Sequence, residues 1–594
     1  MKKYFLIFFL SLITLYLTNS CNFFSSKKLD IIPFEMSNGI ETATYNQTLE
    51  FCEKISKLSP KIKYQSIGKS SQGYKIPMLI IDNDRYFTLK KVRKSGKVVL
   101  LIQANVHAGE TDGNDAGMLL LKDMVLNNSF PKNITILFLP VVNPDGLNRF
   151  SAHNRINQNG PAKMGWRTNA QNLNLNRDFV KTETPEIQAW LKLFNSWKPD
   201  FTIDVHVTDG ADYQYVLTYI VETMGNMNEI QTQWLEKYIE DTRKKVHNQG
   251  IPTFPYTSFK KWHDPRSGLY LRPTPPMLST GYIALQNRPS ILIEAHSLKP
   301  FKQRVEAVLS FIRESISFLE TEAQTLVEIN QKSDILSTKL FENHSLIPLD
   351  FTLTEKCDTV DFLGVEYDVI KSDLTGGDWF QYHTDKPITY QLPMFQTVTP
   401  TVEVTLPAAY IVGSEWSFIK RKLDFHGIKY VNLQSDSEIE ANTYMMSNPK
   451  WSPVSIESRL MLTSVELSKS VKKHSLTKGT FIIPTNQPSS KIIAAIFDPN
   501  SSVSFLKYGF FNSVFEQTEY FETYKMEIIA REMLDSIPDL FQNFENWRNE
   551  QPQTPSHYEQ LGWFWRQTPY FDYKKNVYPV LEVDEKNIQL LNEK

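Results

Sequence analysis

At 594 residues the chain is too long for a single hydrophobic core and long enough for two or three domains. Its 41% hydrophobic and 22% charged content is that of an ordinary globular protein, and a net charge of −2 sets nucleic acid aside as a partner. An aromatic content of 12% fits large β-rich regions.

Lys2 and Lys3 precede an apolar run from Tyr4 to Leu17, followed by Thr18-Asn19-Ser20-Cys21. The run is too short to act as a membrane-spanning stop-transfer helix. A small residue directly before a cysteine resembles the bacterial lipoprotein signal, although Thr18 stands where leucine is commoner. The resemblance implies a signal peptide over residues 1–20, a membrane anchor through a lipid on Cys21, and a polar tether over 21–39. It also implies export to the cell envelope, on the outer-membrane or periplasmic side. Cys52 and Cys357 can pair in an oxidising envelope, but they make neither a disulfide framework nor a zinc cluster.

From Ile32 to Leu58 the pattern is helical, and Ile67 to Gly73 is a turn between two short extended runs. Val98 to Ala104 is continuously apolar and rich in branched residues, which predicts a strand buried on both faces. It empties into a polar turn carrying His107 and Glu110, with a helix expected from about Asn114. A histidine and a glutamate three apart project to one side, so an imidazole nitrogen and a carboxylate oxygen can share one small cation. Ligands favour the carboxyl ends of strands in open α/β sheets, where this pair sits. Ile134 to Val142 is a second buried strand, ending in the turn Asn143-Pro-Asp-Gly146. Strands alternating with helices predict an α/β sheet.

A long polar loop from Leu147 to Arg177 holds Arg149, Arg155 and Arg167, and loops of such length in compact domains are commonly functional. Thr184-Pro185-Glu186 opens a helix. Phe201 to His206 is a third buried strand, and His206 at its carboxyl end supplies the third ligand that a catalytic zinc needs. Residues 207–290 form a lid or insertion with a helix around 228–248. Ser290 to His296 is a fourth strand, with Glu294 and His296 on one face. An amphipathic helix containing Val305, Val308, Ile312 and Leu319 follows. Beyond about Leu336 short extended runs and prolines dominate, with helices expected from Ser414 to Phe425 and near 525–546.

The pieces His107-x-x-Glu110, Asn143-Pro-Asp-Gly146, Asn174-Leu-Asn176-Arg177-Asp-Phe179, Asp204-Val-His206 and Ile291-Leu-Ile-Glu294 together resemble the zinc carboxypeptidases, the M14 metallopeptidases, over about residues 40 to 320. The fold implied is a mixed central sheet flanked by helices over residues 40–335, followed by a β-rich C-terminal region over 336–594. The resemblance implies one Zn²⁺ per chain on His107, Glu110 and His206, with a peptide as substrate. It makes Glu294 the general base and Arg155 the best match for the arginine that steadies the oxyanion, with Arg149 and Arg167 as alternates. It gives Asn176 and Arg177 the substrate's terminal carboxylate. Asn174 replaces the usual aspartate beside a ligand histidine, Ala295 replaces the usual arginine after the base, and Tyr256, Tyr270 and Tyr282 compete as the mobile tyrosine. A peptidase or amidase of cell-wall peptides, or an inactive binding protein for peptides or glycans, are the rival readings.

Overall fold

A computed structural model describes residues 32–592, so the signal-like segment and Cys21 lie outside the described residues. The chain forms two compact units. The first runs to Ala409 and takes in 416–431 and 483–504; the second comprises 410–415, 432–482 and 505–594.

The first unit is built on an eight-stranded mixed sheet in the order β1-β2-β4-β3-β5-β10-β6-β7. These strands are β1 Ile62–Lys69, β2 Lys75–Ile81, β3 Val98–Gln103, β4 Ile134–Leu139, β5 Phe201–Thr208, β6 Leu217–Val221, β7 Thr253–Pro255 and β10 Ser290–His296. The four central strands, β4-β3-β5-β10, are parallel. Every residue of β3, β4 and β5 is buried, Asp204 and His206 of β5 included, as in strands covered on both faces. The helices Asp112–Leu126 and Phe301–Thr338 pack on this sheet through Met118, Leu121, Val305, Val308 and Ile312. The first of them lies close to the strands because Gly117 faces inward, where an added Cβ would strike the Phe138 ring. β3 leads through its helix to β4 on one side and has β5 on the other, so the strand order reverses at β3, whose neighbours β4 and β5 both run parallel to it. That reversal opens a crevice at the carboxyl ends of β3 and β5.

One buried ion pair ties the long helix to the site-bearing segments. Arg304, fully buried, donates from Nε to Asp112 Oδ1 at 2.7 Å and from its terminal nitrogens to the carbonyls of Asn159, Gly160, Ser297 and Lys299. Removing the guanidinium would leave Asp112 as an uncompensated buried charge, so Arg304→Met is expected to cost about 3–5 kcal/mol in chemical denaturation. Asp112→Asn added to that variant should restore part of the loss; no recovery would show that the charge is not the cause.

A second sheet of the same unit has the order β12-β13-β9-β8, with β8 Ser258–Lys261, β9 Asp264–Tyr270 and a long hairpin of β12 Cys357–Lys371 and β13 Asp378–Phe395. β11 Leu346–Leu353 and β14 Val398–Thr405 pair separately. The second unit is built on a six-stranded sheet, β16-β19-β15-β20-β17-β18, from β15 Ala409–Val412, β16 Val431–Asn432, β17 Ser437–Trp451, β18 Leu462–Leu476, β19 Phe481–Pro484 and β20 Val580–Val583. Among the described residues no helix is long and apolar enough to cross a membrane.

Several sequence expectations are refined. The segment expected as one helix near 525–546 is two, Thr523–Ser536 and Leu540–Asn549, because Pro538 cannot continue the first helix and disfavours helical backbone at Ile537. The helical pattern from Ile32 breaks into Pro33–Met36 and Tyr45–Leu58, the latter started by a capping box of Thr44 and Gln47. The helix Phe301–Thr338 carries the chain across the expected boundary at 335/336 without a break. Cys52 and Cys357 are unpaired, the first buried and the second exposed.

Candidate active site

Three side chains converge in the crevice between β3 and β5. His107 and Glu110 sit on the turn after β3, where the Glu110 N–H donates to the His107 carbonyl at 2.9 Å; His206 stands on β5. Gly109 makes room for the turn, since a Cβ there would come within 2.7 Å of the Gly165 carbonyl and 2.9 Å of Arg155 Cγ. The long loop therefore packs directly against the ligand turn. Its anchor is Asn143-Pro-Asp-Gly146: Asn143 Oδ1 accepts from the Gly146 N–H at 2.9 Å, and Asp145 accepts from the hydroxyls of Ser70 and Ser71. Two motifs distant in sequence thus brace one another.

His107 Nδ1 lies 3.1 Å from Glu110 Oε1 and 3.1 Å from His206 Nδ1, and His206 Nδ1 lies 2.9 Å from Glu110 Oε2. All three residues are buried. Ligand atoms at about 2.0–2.1 Å from a tetrahedral zinc stand about 3.3 Å apart, close to this spacing. Two imidazole nitrogens this near each other in a buried site need a proton or a cation between them. Two imidazoles and one carboxylate, with no thiolate, suit a zinc that keeps a coordination position open for chemistry. The residues present fit the ion.

The opposite ring nitrogens each face an oxygen, the setting that orients metal-binding histidines, with a hydrogen bond at His107 and an ion-pair contact at His206. His107 Nε2 faces Asn174 Oδ1 at 2.9 Å, so the neutral side chain does stand beside a ligand imidazole. His206 Nε2 faces Asp204 Oδ2 at 3.2 Å. Asp204 stands two residues before His206 on the same strand, and Ser279 links it to the loop carrying Asn176. Ser279 Oγ donates to Asp204 Oδ2 at 2.6 Å, and its N–H donates to Asn176 Oδ1 at 3.0 Å. No sequence signal marked Ser279.

Burial pushes the His107 imidazole down to about 4, which keeps it neutral, the form that binds a metal. Burial opposes ionisation of Glu110 as well, but His107 and Arg155 outweigh it and hold that carboxyl well below its ordinary value. Burial also works to lower His206, yet Asp204 and Glu110 raise it well above the usual histidine range. The carboxylates around this imidazole thus favour a positive charge at the centre.

Glu294 lies on β10 directly beside His206 in the parallel register. Its Oε2 is buried with no hydrogen-bond partner among the described residues. Burial pushes this carboxyl up to about 8, with Glu110 and Asp209 adding to the rise and His206 opposing it. Arg155 and Arg167 both reach Glu110 Oε1, at 2.9 and 3.5 Å, with side chains 14% and 42% exposed. Arg149 instead lies over the Trp166 ring. Asn176 is buried, and Arg177, half-buried, donates to the Asn176 carbonyl at 2.7 Å.

The competing tyrosines separate clearly. Tyr282 is fully buried, 3.0 Å from His426 Nδ1, and Tyr270 packs edge-on to Phe395. The Tyr256 hydroxyl is raised chiefly by burial and then by Glu294, with Glu110 also contributing, which places it within reach of the site's charges. His296 is a buried packing residue: it stacks on Tyr213 at 4.1 Å, and its Nε2 lies 3.1 Å from Asp212 Oδ1.

Residues 48–267 match the family model described as zinc carboxypeptidase. Over that segment the chain is similar to the zinc carboxypeptidases. Carboxypeptidase 2 of Trichophyton rubrum is 22% identical over 493 residues, spanning 80% of this chain and 85% of that protein. Carboxypeptidase 2 of Trichophyton equinum is 22% identical over 503 residues, spanning 80% and 86%. Among solved structures, a metallo-carboxypeptidase from Burkholderia cenocepacia is 16% identical with a TM-score of 0.35, covering 47% of this chain and 69% of that one. The carboxypeptidase A from Helicoverpa armigera is 16% identical with a TM-score of 0.36, covering 48% and 74%. The matched segment carries the His107, Glu110 and His206 triad of a zinc site, and the family it matches implies a peptide substrate. Glu294 lies beyond the matched segment and enters the site through its pairing with β5.

Proposed function

We propose that the protein removes single residues from the C-termini of peptides, with Glu294 as general base. The observation that carries this reading is the convergence of His107, Glu110 and His206, with Glu294 in register beside His206. A Zn²⁺ held by those three residues would polarise the scissile carbonyl and acidify the attacking water. Glu294 takes the water's proton on the carboxylate and returns it to the leaving amine. Arg167, the more exposed of the two arginines at Glu110, is better placed to meet the oxyanion, while Arg155, bonded to Glu110 and Gln158, steadies the ligand carboxylate. Asn176 and Arg177 receive the substrate's terminal carboxylate, Asn176 being oriented by its bond to Ser279.

The test concerns which end of the substrate is read. A hydrogen bond to a charged group contributes about 1.5–3 kcal/mol, so amidating the peptide's C-terminus should lower kcat/KM by about 10- to 150-fold. Arg177→Ala should do the same, and the two changes together should cost little more than either alone. Equal turnover of amidated and free-acid peptides would overturn terminal recognition and favour the amidase of cell-wall peptides.

A further inference from the structure

The carboxyl ends of β5 and β10 open into a cavity of about 830 Å³ in the first unit, a volume in the range of small-molecule and peptide pockets. One wall comes from the loop after Arg155, through Ile156, and from Asp209, three residues beyond His206. The opposite wall is aromatic: Trp262 between β8 and β9, and Trp379, Phe380 and Tyr382 on β13. Trp262 and Trp379 are 68% and 52% exposed, unusual for side chains of that size. The hairpin of β12 and β13 lies outside the segment that matches the family model.

The hairpin is fastened to the chain that leaves the site. The Gln214 N–H donates to the Leu363 carbonyl at 2.9 Å, and Gln214 Nε2 donates to the carbonyls of Gly364 and Ile388 at 2.7 and 3.1 Å. Thr384 donates to Asp212 Oδ2 at 2.6 Å, and Tyr382 donates to the His263 carbonyl at 2.6 Å. Asp212 also holds His296 at the end of β10, and Lys299 beyond it. The aromatic wall is therefore positioned by the same segment that carries His206. The cavity's lining includes Asp209 and Gly210, which directly follow the strand carrying His206, and Ile156, which directly follows Arg155.

We infer that this cavity is an extended subsite for the part of a peptide upstream of the cleaved bond, preferring aromatic and basic side chains. The inference rests on the carboxypeptidase reading, from which the choice of occupant follows. A substrate losing its last residue has a single residue downstream of the bond, so any further length must lie upstream. Asn176 and Arg177, assigned to the terminal carboxylate, do not line the cavity. The exposed indoles supply flat apolar faces, and Asp209 supplies a negative charge for a lysine or arginine.

The test compares an N-acylated dipeptide with decapeptides sharing its two C-terminal residues and carrying Phe and Lys, or Glu, at the upstream positions. Binding of the decapeptides to the Glu294→Gln protein is followed in parallel by tryptophan fluorescence. In the wild type the Phe/Lys decapeptide should exceed the dipeptide in kcat/KM by about tenfold, and Trp262→Ala with Trp379→Ala should collapse that ratio. Asp209→Asn should narrow the preference for Lys over Glu. A long-to-short ratio that the double tryptophan variant leaves intact would overturn the inference while the peptidase reading stands. No hydrolysis, but fluorescence quenching by the Phe/Lys decapeptide that Asp209→Asn weakens, would uphold the cavity as a peptide site and remove the peptidase reading. Neither hydrolysis nor quenching would overturn both. Quenching by a β-linked N-acetylglucosamine oligomer and not by peptide would overturn the inference in favour of a glycan site.

Discussion

Replacing Glu294 with glutamine is expected to lower kcat by about 10²- to 10⁴-fold while the protein keeps one zinc per chain. Glu294 stands on β10 beside His206 and is not one of the three converging ligand atoms, so the amide leaves the donor set intact. What the amide cannot do is accept a proton. The carboxyl oxygen without a partner, Oε2, is buried, and no other described side chain saturates it, so it is available to a water in the crevice. The measurement is single-turnover hydrolysis of a C-terminally labelled peptide by metal-replete protein, with zinc determined by atomic absorption. A metal-replete variant with near-normal kcat would remove Glu294 from this role, and His296, held between Asp212 and Tyr213, would be no substitute.

His206→Ala is expected to abolish both metal retention and hydrolysis while leaving the sheet folded. Its Nδ1 closes the triangle with His107 Nδ1 and Glu110 Oε2 at 3.1 and 2.9 Å, so without it two ligands remain, too few to hold a catalytic zinc. The loss is also electrostatic. His206 accommodates the negative charges of Asp204 and Glu110, and alanine leaves those buried carboxylates facing each other across an empty space. Some thermal destabilisation should therefore accompany the metal loss, and Asp204→Asn in the same protein should relieve part of it. Zinc content and thermal unfolding of both variants check this. Full zinc occupancy in folded His206→Ala would exclude the ligand assignment.

Much of this was legible without coordinates, for identifiable physical reasons. Val98–Gln103 and Ile134–Leu139 are apolar but for Gln103 and Thr135, Phe201–Thr208 alternates apolar with polar residues, and Ser290–His296 carries the apolar run 291–293; a chain buries such patterns in a sheet. Their carboxyl ends are where an open sheet binds ligands, so His107, Glu110, His206 and Glu294 could be placed together by strand position alone. The two-residue period likewise put Glu294 and His296 on one face of their strand. Pro538 marked a helix break that the apolar period of 525–546 concealed.

Tertiary structure decided what strand position cannot. Arg149, Arg155 and Arg167 lie on one irregular loop, where no period fixes direction; packing turns the first onto Trp166 and brings the other two to Glu110. Tyr256, Tyr270 and Tyr282 were equivalent as letters and differ only in what surrounds them. Ser279 joins Asp204 to Asn176 across segments far apart in the chain, a contact with no local signature. The hairpin of β12 and β13 reads in sequence as a detached β-rich stretch, because nothing local records its pairing with β9 or its bonds to Gln214. Local apolar patterns determined the sheet and the four residues at its strand ends, since burial and side-chain alternation act within a single strand. The arginine, tyrosine and aromatic wall around them were set by long-range packing, which only the folded chain contains.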